Sequence, residues 1–288
     1  MSILIAKNSP VKRFFVFVLI LPFLFVSFGF SKPDILKADE VRLPVLMYHN
    51  VLKCRTGKYI VSPSQVEDDF IALQKAGYTG VHMRDVIDWM DGKSKLPAKP
   101  VVITFDDGHY NNMHYVLPLA KKYNMKFMIN PVTSFSKFTT DSNDHSNPNY
   151  SHLTWSQMKE LHDSGMVEIG NHTHAMHKYR PRFGILKMES ESKSKYLENL
   201  RTDVNKANDL IEASGVPRPT TFAYPFGKYD KSAKETVLEM GFRALLTCTE
   251  GVTTIKKGKQ ESLHNIRRYN RDGDMKTEEI MKLVERKA

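Results

Sequence analysis

From Leu43 onward, short apolar runs alternate with stretches in which apolar residues recur at helical spacing. The runs are Val45–Tyr48, Gly80–His82, Val101–Phe105, Phe127–Asn130, Val167–Gly170, Thr221–Tyr224, Arg243–Thr247 and Asn265–Tyr269. Short runs of this kind, bounded by turn residues, predict buried strands. The helical stretches between them carry readable ends. Ser62-Pro63 opens one, with Val66, Phe70 and Leu73 on its apolar face and Gly77 past its end. Thr154 and Gln157 have capping-box spacing, and Gly165 closes that helix. Lys195–Ser214 carries Leu197, Leu200, Val204, Leu210 and Ile211 before Gly215, and Asp230 caps a helix that ends near Gly241. Two polar, irregular segments, Thr133–His152 and Lys178–Lys193, are expected as surface loops long enough to serve a functional site.

Strand–helix alternation along most of the 288 residues predicts an α/β fold of parallel strands with crossover helices. Seven or eight such units favour an irregular (β/α) barrel, because closure removes the unpaired edges. An open, doubly wound sheet is the alternative. No glycine-rich loop follows the first strand, which argues against a nucleotide-binding version.

The first residues read differently. Lys7, Lys12 and Arg13 precede an uncharged apolar run, Phe14–Phe30, the pattern of an export signal. Residues 1–31 are therefore expected to be a signal peptide, or an uncleaved anchor at the lower length limit for a bilayer span. Residues 32–42 are a polar linker and 43–288 one domain. The protein is expected outside the cytoplasmic membrane, secreted or held on its outer face, with no other membrane contact, as a monomer. The net charge of +10 has two readings, a solvated surface or attraction to an anionic envelope. The body of the chain has no Lys/Arg block and no nucleic-acid signature, so nucleic acid is excluded as a partner. Two cysteines, Cys54 and Cys248, allow one bridge at most and rule out a disulfide framework.

The unusual polar clusters sit directly after predicted strands: His49, then Asp106-Asp107-Gly108, then Asn171-His172-Thr173-His174-Ala175-Met176-His177, then Pro225-Phe226-Gly227. In a parallel barrel all these strand ends open on one face, where active sites lie. Adjacent aspartates after a wholly apolar strand repel one another unless a cation resolves the conflict, leaving one as ligand and the other as base. One of them capping a helix is the simpler alternative. Any one histidine alone reads as core or surface; three within six residues, beside Asp-Asp, read as metal ligands. Spacing leaves both His172/His177 and His174/His177 open.

The segments PVLMYHNV, VVITFDDG, IGNHTHAMH and FAYPFGKYD resemble the NodB-type polysaccharide deacetylases, carbohydrate esterase family 4, and most closely the branch acting on exported poly-N-acetylglucosamine. The resemblance covers about residues 43–270. It implies a NodB-like irregular barrel and a hydrolase acting on carbon–nitrogen bonds other than peptide bonds. Such an enzyme removes acetyl groups from N-acetylglucosamine units of an extracellular or cell-wall polysaccharide. It implies Asp106 as general base, and Asp107 and His172 as ligands of a divalent metal, zinc with cobalt or nickel as replacements. The family's second histidine usually falls where Met176 stands here; the five-residue step of the resembling branch makes His177 the third ligand, with His174 the competitor. The backbone of Phe226 would bind the oxyanion. The general acid would be His264, in a late Leu-His pair, or His49. Arg268 would orient Asp106, unless it is an ordinary surface residue. Tyr224 and Trp155 are candidates for substrate contact, alongside Tyr150, Tyr179 and Tyr269, since aromatic faces stack on sugars. The alternatives are another metal-dependent barrel amidohydrolase, or a non-catalytic envelope-binding protein that keeps the fold.

Overall fold

The computed structural model describes residues 39–286. The expected export segment, and the linker up to residue 38, lie outside them. The strands are β1 (Glu40–Leu43), β2 (Val45–Tyr48), β3 (Asn50–Val51), β4 (Ile60–Val61), β5 (Thr79–Gly80), β6 (Pro100–Asp107), β7 (Phe127–Pro131), β8 (Val167–Ile169), β9 (Thr221–Ala223), β10 (Ala244–Leu246), β11 (Thr253–Lys256) and β12 (Tyr269–Asn270). The α-helices are α1 (Pro63–Lys75), α2 (Met83–Met90), α3 (Leu117–Tyr123), α4 (Thr133–Asp141), α5 (Trp155–Asp163), α6 (Lys193–Ala213), α7 (Lys231–Glu239) and α8 (Thr277–Val284). None of these helices is long and apolar enough to cross a membrane.

Parallel ladders run in the order β12-β2-β6-β7-β8, with β5 also on β6, and β9 pairs in parallel with β10. Two seams separate these sheets. One parallel bridge spans each: Asn171 with Phe222, from the end of β8 to β9, and Leu246 with Ile266, from β10 toward β12. The ring of parallel pairing is therefore irregular, carried at two places by single bridges instead of ladders.

Alternation along β6 places the site. Val101, Ile103 and Phe105 pack outward with Phe70, Leu73 and Val116 beneath the helices, whereas Val102 packs inward with Val45, Met128 and Leu246. Successive strand residues face opposite sides, so Thr104 and Asp106 share the inner face with Val102. Each fully buried Val, Leu, Ile or Phe here contributes about 1.5–3 kcal/mol, which fixes the register strongly.

The capping boxes at Ser62/Gln65 and Thr154/Gln157 form as the spacing predicts. Other expectations are corrected. The linker reading included Glu40–Arg42, but Val41 and Leu43 are buried in β1, which pairs antiparallel with β11. The expected loop Thr133–His152 begins as α4, despite its Ser and Thr content. The N–H groups of Thr133 and Ser134 donate to the carbonyls of Thr173 and His174, so tertiary contacts satisfy the first turn and override weak propensity. The two cysteines are free.

Candidate metal centre and catalytic cavity

β6 delivers Asp106 to the inner face at the barrel mouth, where it is 2% exposed. Its Oδ1 accepts from Asn130 Nδ2 at 2.8 Å and Arg268 Nη1 at 2.9 Å, and its Oδ2 accepts from Arg268 Nη2 at 2.9 Å. Arg268 is fully buried and spends its remaining donors on Thr247 O, Thr104 Oγ1 and Cys248 Sγ. Burial pushes the Asp106 carboxyl up, but the Arg268 guanidinium, with His172 and His49, brings it down to about 2. The Arg268 expectation thus has a bidentate contact behind it, and the surface alternative falls. Gly170 makes room for Asn130, since a Cβ there would overlap Asn130 Oδ1.

Alternation alone would send Asp107 outward. Its φ of +72° turns the chain instead, and Gly108, at φ +77°, completes the turn against Pro131. The Asp107 carboxylate then faces three imidazoles: Oδ1 lies 3.3 Å from His177 Nε2 and 3.8 Å from His172 Nε2, and Oδ2 lies 3.7 Å from His109 Nε2. Burial pushes this carboxyl up, and His109, His49 and His177 more than offset it, holding it well below the usual range.

His172 donates its Nδ1–H to Ala223 O at 2.7 Å, which leaves Nε2 as the lone-pair atom toward Asp107. Burial lowers its pKa to about 4, so the ring is neutral at ordinary pH. The next residue, Thr173, has φ +75°, an uncommon value for a β-branched residue. The loop is held there by Asn171 Oδ1 on Thr173 N and by the Asp203 carboxylate on the N–H groups of His174 and Ala175. This turn brings His177 back over the mouth and sends His174 away, its Nδ1 3.0 Å from Thr133 Oγ1. Spacing left the choice between His174 and His177 open; the structure places only His177 beside Asp107 and His172.

The ligand atoms of Asp107, His172 and His177 all lie within 4.8 Å of one another. Asp107 Oδ1 is buried and has no hydrogen-bond partner among the described residues. A buried, unpaired carboxylate oxygen beside two imidazole nitrogens fits a divalent cation. Protein ligands from three residues leave positions open, as catalytic sites do.

The set lines a cavity of about 710 Å³. His49 lies in its wall with Nδ1 buried and without a partner, its ring edge-on to Tyr59 at 4.9 Å. Phe226, at φ +56°, packs its ring 4.3 Å from His177 and 4.3 Å from Tyr179. Phe183, Cys248 and Glu250, none expected from the sequence, also line the cavity.

Three expected site residues are elsewhere. His264 follows a short 3-10 turn, with Nε2 3.4 Å from Gln260, which bonds Arg243 just before β10 begins. That is the opposite end of the parallel strands from the cavity. Tyr224 is fully buried and stacks on Tyr229 at 4.1 Å, because alternation from β9 turns it toward the helices. Trp155 begins α5 and packs on the core beneath it. Of the other aromatics, Tyr179 lines the cavity, Tyr269 is buried in β12, and Tyr150 is exposed and does not line this cavity.

The fold and this site define a metal-centre class of barrel, and the family model for polysaccharide deacetylase matches residues 93–245. The chain belongs to the polysaccharide deacetylase family. Among curated relatives, the poly-beta-1,6-N-acetyl-D-glucosamine N-deacetylase of Escherichia coli (strain K12) is 24% identical over 67% of this chain and 31% of that protein. The enzyme of the same name from Staphylococcus aureus (strain MRSA252) is 24% identical over 77% of each. The chain thus matches about a third of the first relative's length. A de-N-acetylase from Aggregatibacter actinomycetemcomitans has the same fold, with a TM-score of 0.71 and 24% identity over 84% of this chain and all of that one.

Proposed function

We propose that this protein hydrolyses the acetamide of N-acetylglucosamine units in an exported poly-N-acetylglucosamine or cell-wall polysaccharide, acting outside the cytoplasmic membrane as a monomer. One observation carries the reading: Asp107, His172 and His177 converge beside the Asp106–Arg268 pair on a single cavity. A divalent cation held by Asp107, His172 and His177, zinc with cobalt or nickel as replacements, would supply Lewis-acid polarisation of the acetyl carbonyl and acidify a water. The remaining work falls to the chain.

Asp106 Oδ2 has one protein donor and keeps a lone pair for the attacking water's proton. Arg268 and Asn130 hold that carboxylate ionised and fixed in place. A carboxylate with a pKa of about 2 is a weak base, so it would take a proton only from a water made more acidic by the bound cation. The Phe226 N–H, in its left-handed turn beside His177, is assigned to the developing oxyanion. His49 is assigned the proton for the leaving amine, since it lies in the cavity wall and His264 does not. Burial lowers the His49 pKa, and Asp107 and Asp106 oppose that shift.

The test is acetate release from β-1,6-linked N-acetylglucosamine oligomers, chitin oligomers and peptidoglycan by protein of measured metal content. Release from at least one, fastest on the β-1,6 series, is expected. No release from any of them by metal-loaded protein would overturn the reading.

A further inference from the structure

Four large hydrophobic side chains are exposed among the described residues: Tyr59 (48%), Phe138 (77%), Tyr150 (61%) and Tyr179 (69%). Scattered apolar side chains need no explanation, but these are not scattered. Tyr59 and Tyr179 line the catalytic cavity. Phe138 and Tyr150 line a second cavity of about 350 Å³. Phe135 lies near both. Phe135 lines the second cavity, its ring 4.8 Å from that of His152 and 6.3 Å from that of His177.

We infer that the cavity between Phe138 and Tyr150 is a second sugar-binding site, which takes a neighbouring pyranose unit of the same polysaccharide whose acetamide lies at Asp107, His172 and His177. The inference rests on the function proposed above. A pyranose offers an apolar C–H face and a rim of hydroxyls. The cavity offers the complement: two exposed aromatic rings, with Thr139, Ser142 and Asp144 between them. The Tyr150 hydroxyl bonds the Asp144 carboxylate, which holds the ring in place. The distance to the metal centre is also fixed. Phe138 rides on α4, and the first N–H groups of α4 are bonded to the carbonyls of Thr173 and His174, inside the histidine loop. The size of the cavity suits a small ligand rather than a protein surface, and its place directly beyond Phe135, whose ring is 6.3 Å from that of the candidate ligand His177, points to a neighbouring unit of the chain bound at the metal site.

The experiment compares a β-1,6-linked N-acetylglucosamine hexasaccharide with the monosaccharide. In the Phe138→Ala/Tyr150→Ala protein the ratio of kcat/KM for the long over the short substrate should fall about tenfold, carried in KM. Phe138→Tyr should keep the ratio, because an aromatic face remains. Hexasaccharide affinity, measured by calorimetry in an Asp106→Asn background, should weaken by the same factor. Should the double variant fold poorly, Phe138→Ala alone is read, since that side chain is largely in solvent. An unchanged ratio and unchanged affinity in folded protein would overturn the inference. Wild-type protein that releases no acetate from any glycan would sink the proposed function, while the affinity measurement would still judge this site by itself.

Discussion

Two buried Asp–Arg pairs lie close together in this barrel, and they are built for different ends. Asp69, on the buried face of α1, and Arg271 are both 0–1% exposed. Asp69 accepts from Arg271 Nε and Nη2, from the Tyr48 hydroxyl at 2.8 Å and from Thr277 Oγ1 at 2.6 Å. Donors reach both of its oxygens from three segments, and although its partners Arg271 and Thr277 border a cavity of about 580 Å³, Asp69 itself does not line it. Arg268 also binds Asp106 bidentately, through Nη1 and Nη2, but Oδ2 has Arg268 as its one protein donor and Asp106 lines the catalytic cavity. The same chemistry therefore reads as a structural clamp where every lone pair is claimed, and suits the base proposed above where one is left facing a cavity beside the candidate metal ligands.

The sharpest way to break this comparison is to neutralise each carboxylate. Asp106→Asn should keep its metal and its melting temperature near wild type but lose turnover by roughly 10²–10⁴-fold. Asp107→Ala should lose metal and activity together. If Asp106→Asn empties the metal site, the roles of the two aspartates are exchanged. Asp69→Ala should do the converse, costing about 3–5 kcal/mol in denaturant unfolding by stranding Arg271, while metal content in the folded fraction persists. A smaller effect concerns the histidine loop. His177→Ala should weaken metal binding by roughly tenfold or more, and His174→Ala should leave it nearly unchanged. The reverse pattern would mean that the loop binds in an extended form.

The smallest effect lies outside the candidate metal ligands and concerns pH. Burial lowers His82 and His152 from 6.5 to about 4, so the folded state binds fewer protons than the unfolded one across that window. Stability should fall as pH drops from 6.5 to 4. Glu168 acts in the opposite sense: burial raises it from 4.5 to about 7, so its contribution is present below 4.5 and lost as pH rises through 7. Melting temperatures should therefore fall on acidification, and Glu168→Gln should steepen the fall between 6.5 and 4.5. A flat profile in both proteins would contradict the assignment of buried neutral histidines.

The sequence showed the centre of the site more clearly than its supports. Asp106 was legible because the largely apolar run Val101–Phe105 precedes it and places it at a strand end, and the histidine cluster stood out by density. His177 was named by resemblance, since spacing alone could not distinguish it from His174; the deciding feature is the left-handed turn at Thr173, set by Asn171 and Asp203. Asn130 lay in a strand with nothing local to mark it, and the Arg268 partner is 162 residues from Asp106. His264 misled because a Leu-His pair carries no information about which end of the barrel it occupies. Tyr224 and Trp155 misled because aromatic character does not distinguish a core face from a cavity face. β1 escaped because two charged residues alternate with its two buried ones.

The central claim is that this chain's chemistry runs through a cation held by Asp107, His172 and His177. The most direct test is acetate release from a β-1,6-linked N-acetylglucosamine oligomer by chelator-stripped protein, then by the same protein reloaded with zinc or cobalt, with metal content measured at each stage. Activity should vanish with the metal and return in proportion to the metal restored. Full activity in protein shown by elemental analysis to be metal-free would contradict the account.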